Sequence, residues 1–197
     1  ARPIAGLFRT NTCARSAFRG NVGLMTKIIT DSVIDQGNFK YAVTVVLEPH
    51  EYQTAASVGA RRVTTSIFRG NKNKHGFSNG HGWEIHIEGA CAEMAVAKHF
   101  DIYWDGSNGT YKLPDLSGLM QIRWTAYKSG KLIVRPEDDD YHRFVLVTGR
   151  CPNYVIHGYM QGVQAKDPKY LDNMGDSDRP AAYAVPQSDL LDIREIC

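Results

Sequence analysis

Four residues have the chemistry and the spacing to act on a phosphodiester bond: Glu93, Asp115, Gln121 and Arg123. Hydrolysis of that bond asks for carboxylates that hold one or two divalent ions, and for a cation that stabilises charge developing on the phosphate. Glu93 closes the run Gly89-Ala-Cys-Ala-Glu93, Asp115 follows Pro114, and Gln121-Ile122-Arg123 sits just beyond Gly118. Side chains two apart on a strand point to one face, so Gln121 and Arg123 share a side while Ile122 takes the other. A helix-borne Glu, a turn-borne Asp and that strand face can converge on one ion. Each also has a plainer reading. Pro114-Asp115 near a Gly is an ordinary turn signature, Gln121 and Arg123 suit a solvated strand face, and Glu93 and Glu88 suit the surface of a helix.

The elements that position these residues follow from pattern. Lys40 to Leu47 is rich in Tyr, Val and Thr and stops at Pro49, which predicts a strand followed by the first turn of a helix. From His50 to Phe68, Ala55, Ala56, Val58, Val63 and Ile67 recur at helical spacing, and Gly70 ends the run. Gly70 to Gly82 reads as an exposed basic loop. Trp83 to Phe100 is dense in Ala, with Ile85, Ala92, Val96 and Phe100 along one face, and predicts the central buried helix. Gly89 weakens that helix by about 1 kcal/mol relative to Ala, which points to close packing or a bend there.

Leu119 to Tyr127, Lys131 to Arg135, Arg143 to Thr148 and Tyr154 to Met160 read as strands, with Glu137 to Asp140 a solvated hairpin loop between them. Ala182 to Val185 forms a short apolar element, and Asp189 to Ile193 suits a helical turn. Strands joined by short connections predict an α/β fold of the α+β kind, with a mixed, mainly antiparallel central sheet flanked by helices.

A chain of 197 residues, 43% hydrophobic, has room for one substantial core and an extension. We expect a basic N-terminal arm over 1–39 and a single domain over 40–197. The first 24 residues carry Arg2, Arg9, Arg15 and Arg19 and no acid, without the apolar core of a secretory signal. They read as a disordered arm, a DNA-contacting tail, or sequence upstream of a start at Met25. A net charge of +2 announces no global attraction to nucleic acid. Affinity for DNA therefore needs a local patch, for which Arg61, Arg62, Arg69, Lys72 and Lys74 are the candidates, a solvated helix face being the alternative. The apolar runs, such as Ala42 to Leu47, fall short of the roughly 20 residues that span a bilayer. Cys13, Cys91, Cys151 and Cys197 lack zinc or redox spacing and read as free thiols in a reducing cytosol, and His75, His81 and His86 match no zinc motif.

Taken in order, Gly89-Ala-Cys-Ala-Glu93, Pro114-Asp115 and Gln121-Ile122-Arg123 resemble the PD-(D/E)xK nuclease superfamily. The stretch from His86 to about Val185 is also similar to a family of uncharacterised phage and bacterial proteins, in the blocks Ile87-Glu-Gly-Ala-Cys91, Tyr103-Trp-Asp-Gly-Ser107 and Phe144-Val-Leu-Val-Thr-Gly149. The resemblance implies a restriction-endonuclease-like core and a DNA nuclease dependent on Mg2+ or Mn2+. In it Asp115 is the principal metal carboxylate, Glu93 a helix-side ligand acting directly or through water, and Gln121 an amide-oxygen ligand. Arg123 takes the place usually held by Lys. An amide carries no charge and a guanidinium stays protonated near neutrality, so Arg123 can bind the scissile phosphate but cannot serve as a base. The lost carboxylate weakens metal affinity unless Glu88 or Asp105 compensates. The implied setting is the cytoplasm of a bacterium or phage-infected cell, with DNA as partner and a homo-oligomer, a larger phage assembly or the virion as alternatives. The same departures support a second expectation: a catalytically degenerate member that binds nucleic acid, or serves phage or virion assembly, and cuts nothing.

Overall fold

The chain passes from strand to helix at Pro49. In a computed structural model, which describes residues 42–70, 82–108, 113–173 and 180–196, strand β1 spans Val43–Val46 and helix α1 spans Pro49–Phe68. Pro49 has no N–H to leave unpaired in the first turn, and the Glu48 N–H donates to Glu51 Oε2 at 2.7 Å, so the helix start is closed by its own residues. The expected arm over 1–39, and with it Cys13, Lys72, Lys74, His75, His81 and Cys197, lie outside the described residues.

Helix α2, Gly82–Phe100, buries Ala90, Cys91, Ala92, Glu93, Ala95, Val96 and Ala97. These small side chains let its backbone approach its neighbours closely. The tightest approach is not at Gly89, where a Cβ would meet open space. It is at Gly59 of α1, where a Cβ would stand 2.5 Å from Ile87 Cα and 2.7 Å from the His86 carbonyl oxygen. At the other end of the pair, Lys98 Nζ donates to Glu51 Oε2 at 2.6 Å and to the Val46 carbonyl at 2.9 Å. The start of α1 thus meets the end of α2, and the two helices run antiparallel.

The main sheet has strand order β1-β5-β4-β2, with β2 over Met120–Thr125, β4 over Arg143–Arg150 and β5 over Asn153–Gln161. β5 pairs antiparallel with β1 and β4, whereas β2 runs parallel to β4. A second sheet, ordered β3-β7-β6, is antiparallel throughout and comprises Leu132–Val134, Ala182–Val185 and Leu171–Asp172 respectively. β2 and β3, though neighbours in sequence, therefore belong to different sheets. The fold is α+β with a mixed, mostly antiparallel main sheet, as the pattern predicts, but its helices α1 and α2 lie on one side.

Two cores explain this layering. Met120, Ile122, Val145 and Val147 pack with Ala92, Ala95 and Val96 of α2, while Phe144 and Leu146 pack with Leu132, Val134 and Val185 of the second sheet. Phe144 to Thr148 is buried on both faces of β4, which accounts for its unbroken apolar character. The chain end closes over the helix-side core through Ile193 and Ile196, in two 3-10 turns, Gln187–Asp189 and Ile193–Glu195, where a single turn is expected. Among the described residues, no helix is long and apolar enough to cross a membrane.

Candidate functional site

Glu93 lies on the inward face of α2 and is only 6% exposed. A buried carboxylate is costly unless it is paired and hydrogen-bonded. Arg62 supplies the pairing. It follows Val58 by four residues and Ala55 by seven, so the helical period puts it on the buried stripe of α1 with them. Its Nη1 donates to Glu93 Oε1 at 2.6 Å and its Nη2 to Glu93 Oε2 at 2.8 Å, a bidentate pair. Nε and Nη2 also donate to the Ser107 carbonyl at 3.1 and 3.0 Å. Trp104 Nε1 adds a third donor to the carboxylate, reaching Oε2 at 3.0 Å.

Asp115 approaches the same cluster from a tight turn. Leu116 bridges to Met120, and the connection uses positive φ at Gly118 (73°) and at Leu119 (60°). This reversal brings Asp115 Oδ2 within 2.8 Å of the Ile122 N–H on β2. Burial, and then the negative charge of Glu93, push the Asp115 carboxyl up to about 7, although the Ile122 N–H and the charges of Arg123 and Arg62 pull the other way. His86 is held below its ordinary value by burial and by the charge of Arg62.

Gln121 and Arg123 share a strand face, as their spacing predicts, but it is the face turned away from α2. They stand beside Phe144 and Leu146 in the parallel register, over the second core. Arg123 Nη2 donates to Asp138 Oδ2 at 2.8 Å and Nε to the Ile133 carbonyl at 3.3 Å, and its guanidinium carbon lies 5.1 Å from the centre of the Phe144 ring. Asp138 also accepts from the Arg135 N–H at 2.8 Å, and Asp140 takes Lys166 Nζ at 2.6 Å. In the acidic run, Glu137, Asp139 and Asp140 are exposed, in keeping with the expected solvated loop, but Asp138 is half-buried and anchors Arg123, and the flanking strands β3 and β4 belong to different sheets and form no hairpin.

The structure gathers Glu93, Asp115 and Arg62, and turns the side chains of Gln121 and Arg123 to the opposite face of β2. Arg62, expected among phosphate-contacting cations, is directed inward because a buried carboxylate demands it. Arg61 is exposed on α1 and Arg69 just beyond its last turn, and Lys72 and Lys74 lie outside the described residues. Of the two carboxylates expected to compensate for Gln121, Glu88 is bound elsewhere and Asp105 bears on the cluster only through its charge on Arg62. Glu88, expected on the helix surface, accepts from Tyr154 Oη at 2.6 Å and from the Cys151 N–H at 3.3 Å, and Asp105 accepts from the Ser107 N–H at 2.9 Å. Cys91 and Cys151 are free thiols, and burial pushes the Cys91 thiol up to about 12, as befits a small packing residue.

The Mg2+ or Mn2+ ligand set that the resemblance implies does not fit this arrangement. Both oxygens of Glu93 are engaged by Arg62 and Trp104, and the Gln121 amide faces the second core. Among the described residues, no group of three or more His, Cys, Asp or Glu side chains could hold a metal ion. Arg62, Trp104 and Asp138 are the participants that residue type alone overlooks. The phase of Arg62 with Ala55 and Val58 is the one signal that could have found it. Comparison with models of protein families, with curated proteins and with solved structures gives no match.

Proposed function

We propose that this chain is a nucleic-acid-binding protein on a nuclease-like scaffold, one that holds its ligand without cleaving it. The observation that carries the reading is the division of the nuclease-like motif between two faces of β2. Asp115, bonded to the Ile122 N–H of β2, feels the charges of Glu93 and Arg62 as well as that of Arg123, whereas the side chains of Gln121 and Arg123 lie over the second core and Arg123 is bound to Asp138. The cation on the helix side is Arg62, and its guanidinium is already engaged by both oxygens of Glu93 and by the Ser107 carbonyl, which leaves it ill placed to serve a phosphate held by Asp115 and a metal. Arg61 on α1 and Arg69 at its C-terminal cap, both exposed, are suited to phosphate contacts that carry no sequence information. The free thiols Cys91 and Cys151 agree with a reducing compartment such as a bacterial cytosol.

Fluorescence polarisation with single-stranded and duplex DNA, run beside a cleavage assay in Mg2+ and in Mn2+, tests this. Salt-sensitive binding without cleavage is the expected result. Replacing both Arg61 and Arg69 by Ala should weaken binding to all sequences alike and reduce the slope of log affinity against log salt by about 2. A second reading, the metal-dependent nuclease, is favoured by one observation: the charge of Glu93 bears on Asp115, so the two carboxylates are neighbours. Cleavage that Asp115→Ala abolishes would install it in place of the first.

A further inference from the structure

We propose that the second half of α1 binds a single-stranded nucleic acid, with a base stacked on Phe68 and the phosphates on either side held by Arg61 and Arg69. This rests on the reading of the chain as a nucleic-acid-binding protein and adds the strandedness of the ligand and the residue that senses it. Arg61, Thr64, Thr65 and Phe68 stand at the helical spacing i, i+3, i+4 and i+7, so they share one stripe of α1. Arg61 and Phe68 are exposed, the two threonines between them are half-buried, and Arg69 caps the helix next to Phe68. From Tyr52 to Gly70 the chain has no acid, so a polyanion lying along this stripe meets no carboxylate of the same helix. Asn108 Nδ2 donates to Thr65 Oγ1 at 2.9 Å and fastens the loop from Asp105 to Asn108 beside the stripe. The one acid of that loop, Asp105, accepts from the Ser107 N–H at 2.9 Å, and its charge bears on the inward-turned Arg62.

Phe68 is 91% exposed and Ile67 beside it 63%, where the buried stripe of Ala55, Val58 and Val63 would otherwise continue. The reason lies in the lengths of the two helices. Beyond the contact of Gly59 with His86 and Ile87, α1 runs on for about 13 Å to Phe68, whereas α2 reaches back only about 7 Å to Gly82. The last turn of α1 therefore stands clear of its partner helix. A ring presented in this way offers every base the same stacking surface, whatever the sequence. Bases in a duplex are already stacked on one another and must be unstacked before a ring can take them. Arg61 and Phe68 lie about 10 Å apart along the axis, which a stacked strand covers in about three nucleotides at roughly 3.4 Å each. One short strand can thus engage the cation and the ring together.

Fluorescence polarisation of the full chain with oligodeoxyuridylate, oligouridylate, an abasic oligonucleotide and a duplex, all of one length, tests this. The wild type should bind the better of the two base-bearing single strands about tenfold more tightly than the abasic strand and the duplex. The tighter of those two names DNA or RNA as the source of the strand. Phe68→Ala should erase the preference and leave the slope of log affinity against log salt unchanged, since it removes no charge. Phe68→Tyr keeps a ring to stack on and should retain the preference. Arg61→Ala with Arg69→Ala should instead weaken all four ligands. Equal affinity for base-bearing and abasic strands, a duplex held more tightly than either single strand, or a Phe68→Ala variant that binds as the wild type does overturns the proposal. Each of those outcomes still shows binding and leaves the nucleic-acid reading standing. If none of the four ligands binds, that reading fails and takes this inference with it, leaving Phe68 and Ile67 to a protein partner.

Discussion

The two faces of β2 each hold an arginine against a carboxylate, and they do so differently. Toward the helices, Arg62 grips Glu93 with two hydrogen bonds, and the side chains are 18% and 8% exposed. Toward the second sheet, Arg123 meets Asp138 through one, with side chains 28% and 18% exposed, and lies over Phe144. The first pair is surrounded by protein and satisfied on nearly every donor. The second keeps contact with water and a ring to rest on. An ion pair buried in the first way cannot lose one partner cheaply, whereas one arranged in the second way can.

Breaking the first pair should have the largest effect. Arg62→Met leaves the Glu93 charge buried without its partner and should lower unfolding free energy by about 3–5 kcal/mol in urea denaturation. The double variant Arg62→Met/Glu93→Gln should recover a substantial part of that loss, because the stranded charge is gone. The next effect is a pH dependence centred on Asp115. The Asp115 carboxyl is raised from its ordinary 3.8 to about 7, so between these values the folded chain binds more protons than the unfolded one. Stability should therefore fall as pH rises across that window and level off above it, by on the order of a few kcal/mol. Asp115→Asn should flatten the slope in denaturation midpoints measured across pH.

Arg123→Met tests the other face. It should cost about 1–2 kcal/mol, since the methionine still covers Phe144 and Asp138 retains the Arg135 N–H and access to water. A loss as large as that of Arg62→Met would erase the distinction between the two faces. The smallest expected effect is at Leu119, whose positive φ costs roughly 1–2 kcal/mol for a branched residue, while glycine gives back about 0.5–1 kcal/mol through chain entropy. Leu119→Gly should raise stability by a few tenths to about 1 kcal/mol in the same assay, and a loss would show that its half-exposed side chain packs usefully beside Asp115.

The elements were legible in the sequence because each is written locally. Pro49 marks the start of α1, the Ala-rich run marks α2, and the alternation after Gly118 marks β2. The layering was not legible, because nothing local tells Leu132 to Val134 to pair with Val185 and not with the adjacent β2. Glu93 and Asp115 stood out by residue type and position. Their setting did not, since Glu93 finds Arg62 at a separation of 31 residues and Trp104 at 11. Asp138 was hidden in a run of acids that composition reads as solvated, yet its contact with Arg123 is what holds that cation to the second core.

The ties along α1 and α2 form a rack with fixed teeth. Glu51 engages Lys98 at one end, Gly59 seats against His86 and Ile87 at the other, and Arg62 engages Glu93 between the helix and its neighbouring loop. Sliding one helix by a turn, about 5.4 Å, would disengage all of them together and drive a larger residue into the place of Gly59. The helix pair therefore travels as one piece. Any opening toward Glu93 falls to the Asp115 turn, which hangs on the edge strand of the sheet by the Ile122 N–H and the Leu116–Met120 bridge.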